Sequence, residues 1–301
     1  TYSDNEEGKF VANDIFETKQ NEQVNNIDFA ILYRTNAQSR SFEEALRKLN
    51  IKYRIYGGLS FYQRKEIKDL IAYFRLTANH NDEEALKRVI NYPKRGIGQG
   101  SLDKATVAAR ENDVSLWEML CNLPKYNVGI NKGTSNKIVD FTTMIKSFAT
   151  KLTTLSASDL AYEIGQSSGL TRELYADKTP EGVARYENIQ ELQNGIKEFT
   201  EKSKADGTDV FLPDFLLDVA LLTDADNDDE EDNDKVTLMT IHASKGLEFP
   251  YVYIVGLEEA LFPSQLALNS RAELEEERRL FYVAVTRAEK RCTLSYAMSR
   301  Y

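Results

Sequence analysis

Cysteine and histidine are nearly absent from this chain of 301 residues, and their scarcity removes several kinds of chemistry at once. Cys121 and Cys292 are the only cysteines, too few for a disulfide framework or a Cys/His zinc cluster. With His80 and His242 the only histidines, histidine-rich metal sites are excluded as well, so no metal site is expected. Long apolar runs are also missing. None approaches the roughly 20 residues needed to cross a bilayer, and the opening residues lack the charged, apolar, small-residue order of a leader. The expectation is therefore a cytoplasmic protein with no membrane partner. No stretch matches G-x-x-x-x-G-K-[ST]: Gly8-Lys9 runs into Phe10, and "NKGTSNK" has the wrong order. A free-standing nucleotide hydrolase of the P-loop kind is excluded. The chain opens on Thr1 and stops at Tyr301 just after an apolar run, which leads us to expect a fragment of something longer.

What is present is a hydrophobic content of 42%, enough to bury a sizeable core, over a length that suggests two domains. The net charge of -10 argues at first against a nucleic-acid partner. Its distribution changes that reading, because eight of the acidic residues fall within Asp224–Asp234, "DADNDDEEDND". Without them the remainder would carry only about -2, so local patches decide. The stretch resembles a calcium loop superficially, but Asp229 stands where glycine is needed and Lys235 where the closing glutamate belongs. A self-repelling connector is expected there instead.

Hydrophobic periodicity divides the chain into three. Up to about Tyr62 it alternates: a helix over "EEGKFVANDIFETK", a buried strand over "DFAILYR", a helix over "SFEEALRKLN" and a strand over "YRIYGG". From Gln63 to Asp234 amphipathic helical stretches dominate. The α/β pattern then returns, with strands expected over "KVTLMTIH" and "YVYIVGL", a helix over "ELEEERRLFYVAVTRAEK" and a last strand over "CTLSYA". We expect an α/β fold in which the two outer segments, 1–64 and 233–301, build one parallel sheet. An all-α domain, 65–232, is expected to be inserted between them and to end in an acidic linker, 224–234.

Four stretches carry residues suited to chemistry. In "VTLMTIHASKGLEF" a buried strand runs into Thr240, His242, Ser244, Lys245 and Glu248, which we place at the carboxyl edge of the sheet, where ligands of open α/β folds bind. A solvated loop with a glycine turn accounts for the same residues about equally well. In "EEERRLFYVAVTRAEK" most charges form helical i to i+4 pairs, but Arg287 follows the apolar face and can project across an interface. It suits a transferring phosphoryl group, although a structural ion pair is the commoner use of such spacing. In "ILYRTNAQSR", Arg34, Thr35 and Asn36 follow a strand and offer donors to phosphate oxygens, unless Asn36, Ser39 or Ser41 simply caps the next helix. In "YPKRGIGQGS", Lys94 and Arg95 precede a tight turn, Gly96, Ile97 and Gly98, whose backbone N–H groups suit a duplex phosphate; an ordinary turn broken by Pro93 is the alternative.

Together with "YRIYGGLSFYQRKEIKDLIAYFRL" and "YVYIVGLEEALFPS", these blocks closely resemble, in order, the UvrD/PcrA/Rep family of superfamily 1 DNA helicases. The resemblance spans nearly the whole chain and is weakest between about Cys121 and Phe211. It implies a RecA-like second domain with its inserted helical domain. The family's amino-terminal RecA-like domain, with its P-loop and magnesium-binding carboxylates, has no counterpart here, nor has the arginine-bearing block that begins the second. What the resemblance implies for residues is that Gly246, Glu248 and Arg287 serve ATP, with Glu248 on the ribose and Arg287 as the arginine finger. Arg34, Asn36, Thr240 and His242 would hold single-stranded DNA, and Lys94 to Gly98 would meet the duplex at a single/double-strand junction. Gly57 to Glu66 and the acidic run would flank a swivel. ATP and Mg2+ are implied for the longer parent, a 3′ to 5′ translocase of repair or replication. The fragment alone is expected to bind neither cofactor and to be inactive. The helicase part of an AddA/RecB-like helicase-nuclease, and a non-enzymatic DNA-binding module, are the competing expectations.

Overall fold

In a computed structural model of the chain, residues 1–224, 233–265 and 267–299 are described. Of the expected acidic linker, residues 225–232 lie outside the described residues. In chain order the main elements are α1 (Asp4–Glu22), β1 (Phe29–Tyr33), α2 (Ser39–Lys48) and β2 (Tyr53–Ile55). Nine helices follow: α3 (Lys65–Ala78), α4 (Glu83–Val89), α5 (Gln99–Glu111), α6 (Leu116–Cys121), α7 (Lys132–Ala149), α8 (Ala157–Ser167), α9 (Leu170–Ala176), α10 (Pro180–Ala205) and α11 (Leu212–Asp224). The chain then returns to β3 (Val236–Thr240), β4 (Phe249–Ile254), α12 (Arg271–Val285) and β5 (Ala288–Leu294). Two compact units result, one of Thr1–Arg64 with Leu221–Tyr301 and one of Lys65–Ala220. The second boundary thus falls ahead of residue 232, where the charge pattern had placed it.

The first unit is built on one sheet of order β2-β3-β1-β4-β5, with every pairing parallel. β1 is buried at all five positions, which its unbroken run FAILY dictates, since a central parallel strand has apolar layers on both faces. Side chains alternate across it. Phe29, Ile31 and Tyr33 join Val11, Ile15, Phe42 and Leu46 of α1 and α2 on one face. Ala30 and Leu32 face the other way, toward Phe281 and Ala284 of α12. β1 and β2 are parallel but not neighbours: β3, which arrives after the helical unit, pairs with both. The expected helix "ELEEERRLFYVAVTRAEK" also ends early. Thr286 caps it, and Ala288, Glu289 and Lys290 already belong to β5. These charges are tolerated in a strand because β5 lies at the sheet's edge, where outward-facing Glu289 and Lys290 stay exposed.

The second unit is all helical among its described residues, as the amphipathic stretches require. Its longest member, α10, starts on an N-cap, Thr179, whose hydroxyl accepts the Gly182 N–H at 3.0 Å, with Pro180 as its first residue. It buries Ile189, Leu192 and Ile196 along one stripe. The short helices α6 and α9, of six and seven residues, lie in stretches whose apolar pattern is too brief to show a period.

Candidate nucleotide and nucleic-acid site

At the carboxyl edge of the sheet, β1 and β3 end in register, Tyr33 opposite Thr240, and the Ile241 N–H donates to the Tyr33 carbonyl at 2.9 Å. Two of the stretches singled out in the sequence therefore leave the sheet side by side. Arg34, Thr35 and Asn36 lie on one, Thr240 and His242 on the other. The Gln38 amide oxygen accepts the N–H groups of both Arg34 and Thr35 at 2.9 Å, folding the first loop into a short 3-10 turn over Asn36–Gln38 before α2. That turn leaves the capping alternative unrealised: no side chain of Asn36, Ser39 or Ser41 caps α2. Asn36 is instead exposed, while its carbonyl accepts Arg64 Nη1 at 2.9 Å. The Thr240 hydroxyl accepts the Ala243 N–H at 3.3 Å.

Arg34 is not a free cation. Its Nε and Nη2 donate to Glu277 Oε1 at 3.1 and 2.8 Å, and Nε also lies 3.2 Å from Oε2. Glu277 is the acid that sequence reasoning missed. Of three consecutive glutamates on α12, Glu275 and Glu276 pair with Arg278 and Arg279 three residues on, at 2.8 and 2.9 Å, rather than across the expected i to i+4 spacing. Glu277 alone stands a heptad before Ala284, on the buried stripe, and this phase is the signal that could have marked it. His242 is exposed yet partly desolvated. Burial, and then the Arg34 charge, hold its imidazole below the ordinary histidine value, with Glu277 and Glu276 opposing.

The expectation that Glu248 shares this edge is corrected. β4 is parallel to β3, so the chain after Thr240 must travel back the full strand length, about 16 Å for five residues, before Phe249 can begin β4. Residues 241–248 make that journey pressed against the α12 face, with Ile241 and Ser244 fully buried and Ala243 and Leu247 packed on the same core. The loop delivers Gly246 and Glu248, both exposed, to the amino edge, Gly246 in the left-handed region at φ 86°. Arg287 is already there, because β5 also begins at that edge, with Phe249 opposite Ala288 and the Phe249 N–H on the Arg287 carbonyl at 2.9 Å. Its guanidinium donates to the carbonyls of Leu247 (2.9 Å) and Val283 (3.0 Å) and to the Thr286 hydroxyl (3.1 Å). Among the described residues no carboxylate pairs with it. It is neither sunk in the apolar interior nor part of an ion pair, so its full charge remains available to an anion.

On the helical unit the turn after α4 is held from within. The Asn91 side chain accepts the N–H groups of Arg95 and Ile97, both at 3.0 Å, and Ile97 is buried. The Arg95 guanidinium turns inward, to the carbonyls of Val89, Pro93 and Ser168 and the Tyr73 hydroxyl, with the Tyr73 and Phe141 rings within 6 Å. The expectation of two outward cations is corrected to one, since only Lys94 is exposed. Gly96, at φ 74°, and Gly98, the N-cap of α5, keep exposed backbone at the helix start.

A family model for the UvrD-like helicase C-terminal domain matches residues 1–299. The chain belongs to that family. It is 42% identical over 304 residues to the ATP-dependent DNA helicase PcrA of Bacillus subtilis, covering 99% of this chain and 40% of that protein. Against the helicase of the same name from Staphylococcus aureus (strain MRSA252) identity is 40% over 300 residues, with the same coverages. Against that of Staphylococcus epidermidis it is 42% over 275 residues, 91% of this chain and 37% of the relative. The chain thus spans about two-fifths of the length of these curated relatives. Among its described residues no group of three His, Cys, Asp or Glu side chains is placed to hold a metal ion.

Proposed function

We propose that the chain is the second RecA-like wall, with its inserted helical unit, of an ATP-dependent DNA helicase that moves 3′ to 5′ along a single strand. The observation that carries this reading is the separation of two polar sets to opposite edges of one sheet. Gly246, Glu248 and an ion-pair-free Arg287 occupy the amino edge; Arg34, Asn36, Thr240 and His242 occupy the carboxyl edge. One short loop, 241–248, and one helix, α12, run between them.

In this arrangement Glu248 accepts from a ribose hydroxyl, and Arg287 exchanges its carbonyl partners for the γ-phosphate of ATP held by the P-loop domain expected outside this chain. Preorganised positive charge aimed at a developing phosphoryl charge lowers the barrier without reorganisation at the moment of transfer. Supplied across a cleft, such an arginine contributes on the order of 10³ to 10⁵ in rate. Mg2+, which neutralises phosphate charge when bound, belongs with that other domain. At the carboxyl edge, Asn36, Thr240 and His242 offer hydrogen bonds, and Arg34 charge, to backbone phosphates of the strand. Lys94 and the exposed backbone at Gly96 and Gly98 approach the duplex ahead of the junction, with Arg95 and Ile97 holding the turn in shape. No described helix is long and apolar enough to cross a membrane; the cytoplasmic setting is part of the proposal.

The direct test is ATP turnover by the purified chain with and without single-stranded DNA. None above background is expected, because half the pocket is elsewhere. Robust hydrolysis by the chain alone would overturn the proposal.

A further inference from the structure

One buried acid, Glu277, is paired directly with a residue assigned to the strand and has no assigned task of its own. Glu277 is 8% exposed and holds Arg34 in a two-pronged ion pair, and among the described residues its Oε2 accepts in addition only the Ser264 N–H, at 3.3 Å. Arg34 keeps 23% of its side chain exposed, so a phosphate arriving at the carboxyl edge can reach it from solvent. A phosphate and Glu277 cannot both have the full fork of one guanidinium. If phosphate takes it, Glu277 is left in a nearly buried place with one backbone donor, a position that favours movement of the element carrying it. That element is α12. Six residues further along, the carbonyl of Val283 in its last turn holds Arg287 Nε at 3.0 Å. At 1.5 Å per residue the two points are about 9 Å apart on one hydrogen-bonded rod.

We propose that Glu277 is a positioning residue which competes with a DNA phosphate for Arg34, so that occupancy of the single-strand track is felt through α12 at Arg287. The inference rests on the function proposed above. An ion pair that merely pins α12 to β1 has the same geometry in the free protein but a different consequence when broken. A pin, once lost, lowers stability and leaves DNA affinity as it was. A competitor, once lost, frees Arg34 for phosphate and leaves α12 in the position DNA would impose.

The test uses the intact helicase that carries this chain, with an oligothymidylate as probe. Glu277→Gln keeps the shape and removes the charge. The expected result is a Kd for the oligothymidylate about tenfold tighter, with basal ATP turnover rising toward the stimulated rate so that the stimulation ratio falls about tenfold. Arg34→Gln should weaken binding and reduce the salt slope of log Kd by about 0.7, one phosphate contact on a single strand. Adding Glu277→Gln to Arg34→Gln should then change nothing further. Unchanged affinity and ratio in Glu277→Gln, with or without a lowered melting temperature, overturns the proposal. So does an effect of Glu277→Gln that persists in the Arg34→Gln background. An intact wild type whose ATP turnover the oligothymidylate does not stimulate refutes the function itself, and the coupling with it.

Discussion

His242 sits where the electrostatics of the proposed single-strand track are most easily read. Burial and the neighbouring Arg34 hold its pKa below the ordinary value of about 6.5, so at neutral pH the ring is uncharged and donates as a neutral imidazole. A phosphate beside it favours the charged form. Strand binding should therefore take up a proton, and the affinity of the intact helicase for a single strand should rise as pH falls from 8 to 6. The stability of the free protein runs the other way: a depressed folded pKa contributes stability present above the unfolded value and lost as pH falls through the folded one. Titrating affinity against pH for the wild type and for His242→Asn separates the two, since the variant should give a flatter curve. An unchanged slope in His242→Asn contradicts a contact at this ring.

Elements, more than single residues, decide which of these groups meet. α12, the loop 241–248 and β5 bring Arg287 to Leu247, and they do so because parallel strands must all begin at the same edge. The core on the opposite face of the sheet, against α1 and α2, is tightly filled: Leu238 and Ile31, paired across β3 and β1, are fully buried. Leu238→Ala should cost about 2–5 kcal/mol in chemical denaturation of the chain, with a cavity between α2 and the sheet; a loss below about 1 kcal/mol would mean the sheet is not packed as described. On the helical unit, Asn91→Ala strips the N–H groups of Arg95 and Ile97 of their acceptor, and should cost about 1–3 kcal/mol and weaken duplex binding while single-strand binding is kept. Equal weakening of both would argue against a duplex role for this turn.

At the scale of the whole molecule, much of the architecture could be read from the chain because buried parallel strands and amphipathic helices leave strong periods. FAILY and VTLMT read as strands for the same reason that they are central ones. The order β2-β3-β1 could not be read, since it depends on where a strand returns after a helical excursion of more than a hundred residues. Only the second half of β5 reads as strand in the sequence, because its first residues include Glu289 and Lys290, which imitate a solvated helical face. The polar residues of the site announced themselves, but their partition between two edges did not. Spacing shows that Thr240 and Glu248 are close in sequence, not that the loop between them crosses the sheet. Glu277 was hidden among neighbours of identical charge, and Arg95 looked outward because a cation beside glycines usually is.

Arg287 is the residue on which the proposed composite pocket turns. ATP turnover at saturating nucleotide and single strand, measured on the intact helicase with Arg287→Ala, should fall by about 10³ or more while ATP affinity shifts far less, because in the proposed pocket a P-loop domain outside this chain holds the nucleotide. Turnover within tenfold of wild type would show that this guanidinium faces no reacting phosphate, and the proposed composite pocket would have to be abandoned.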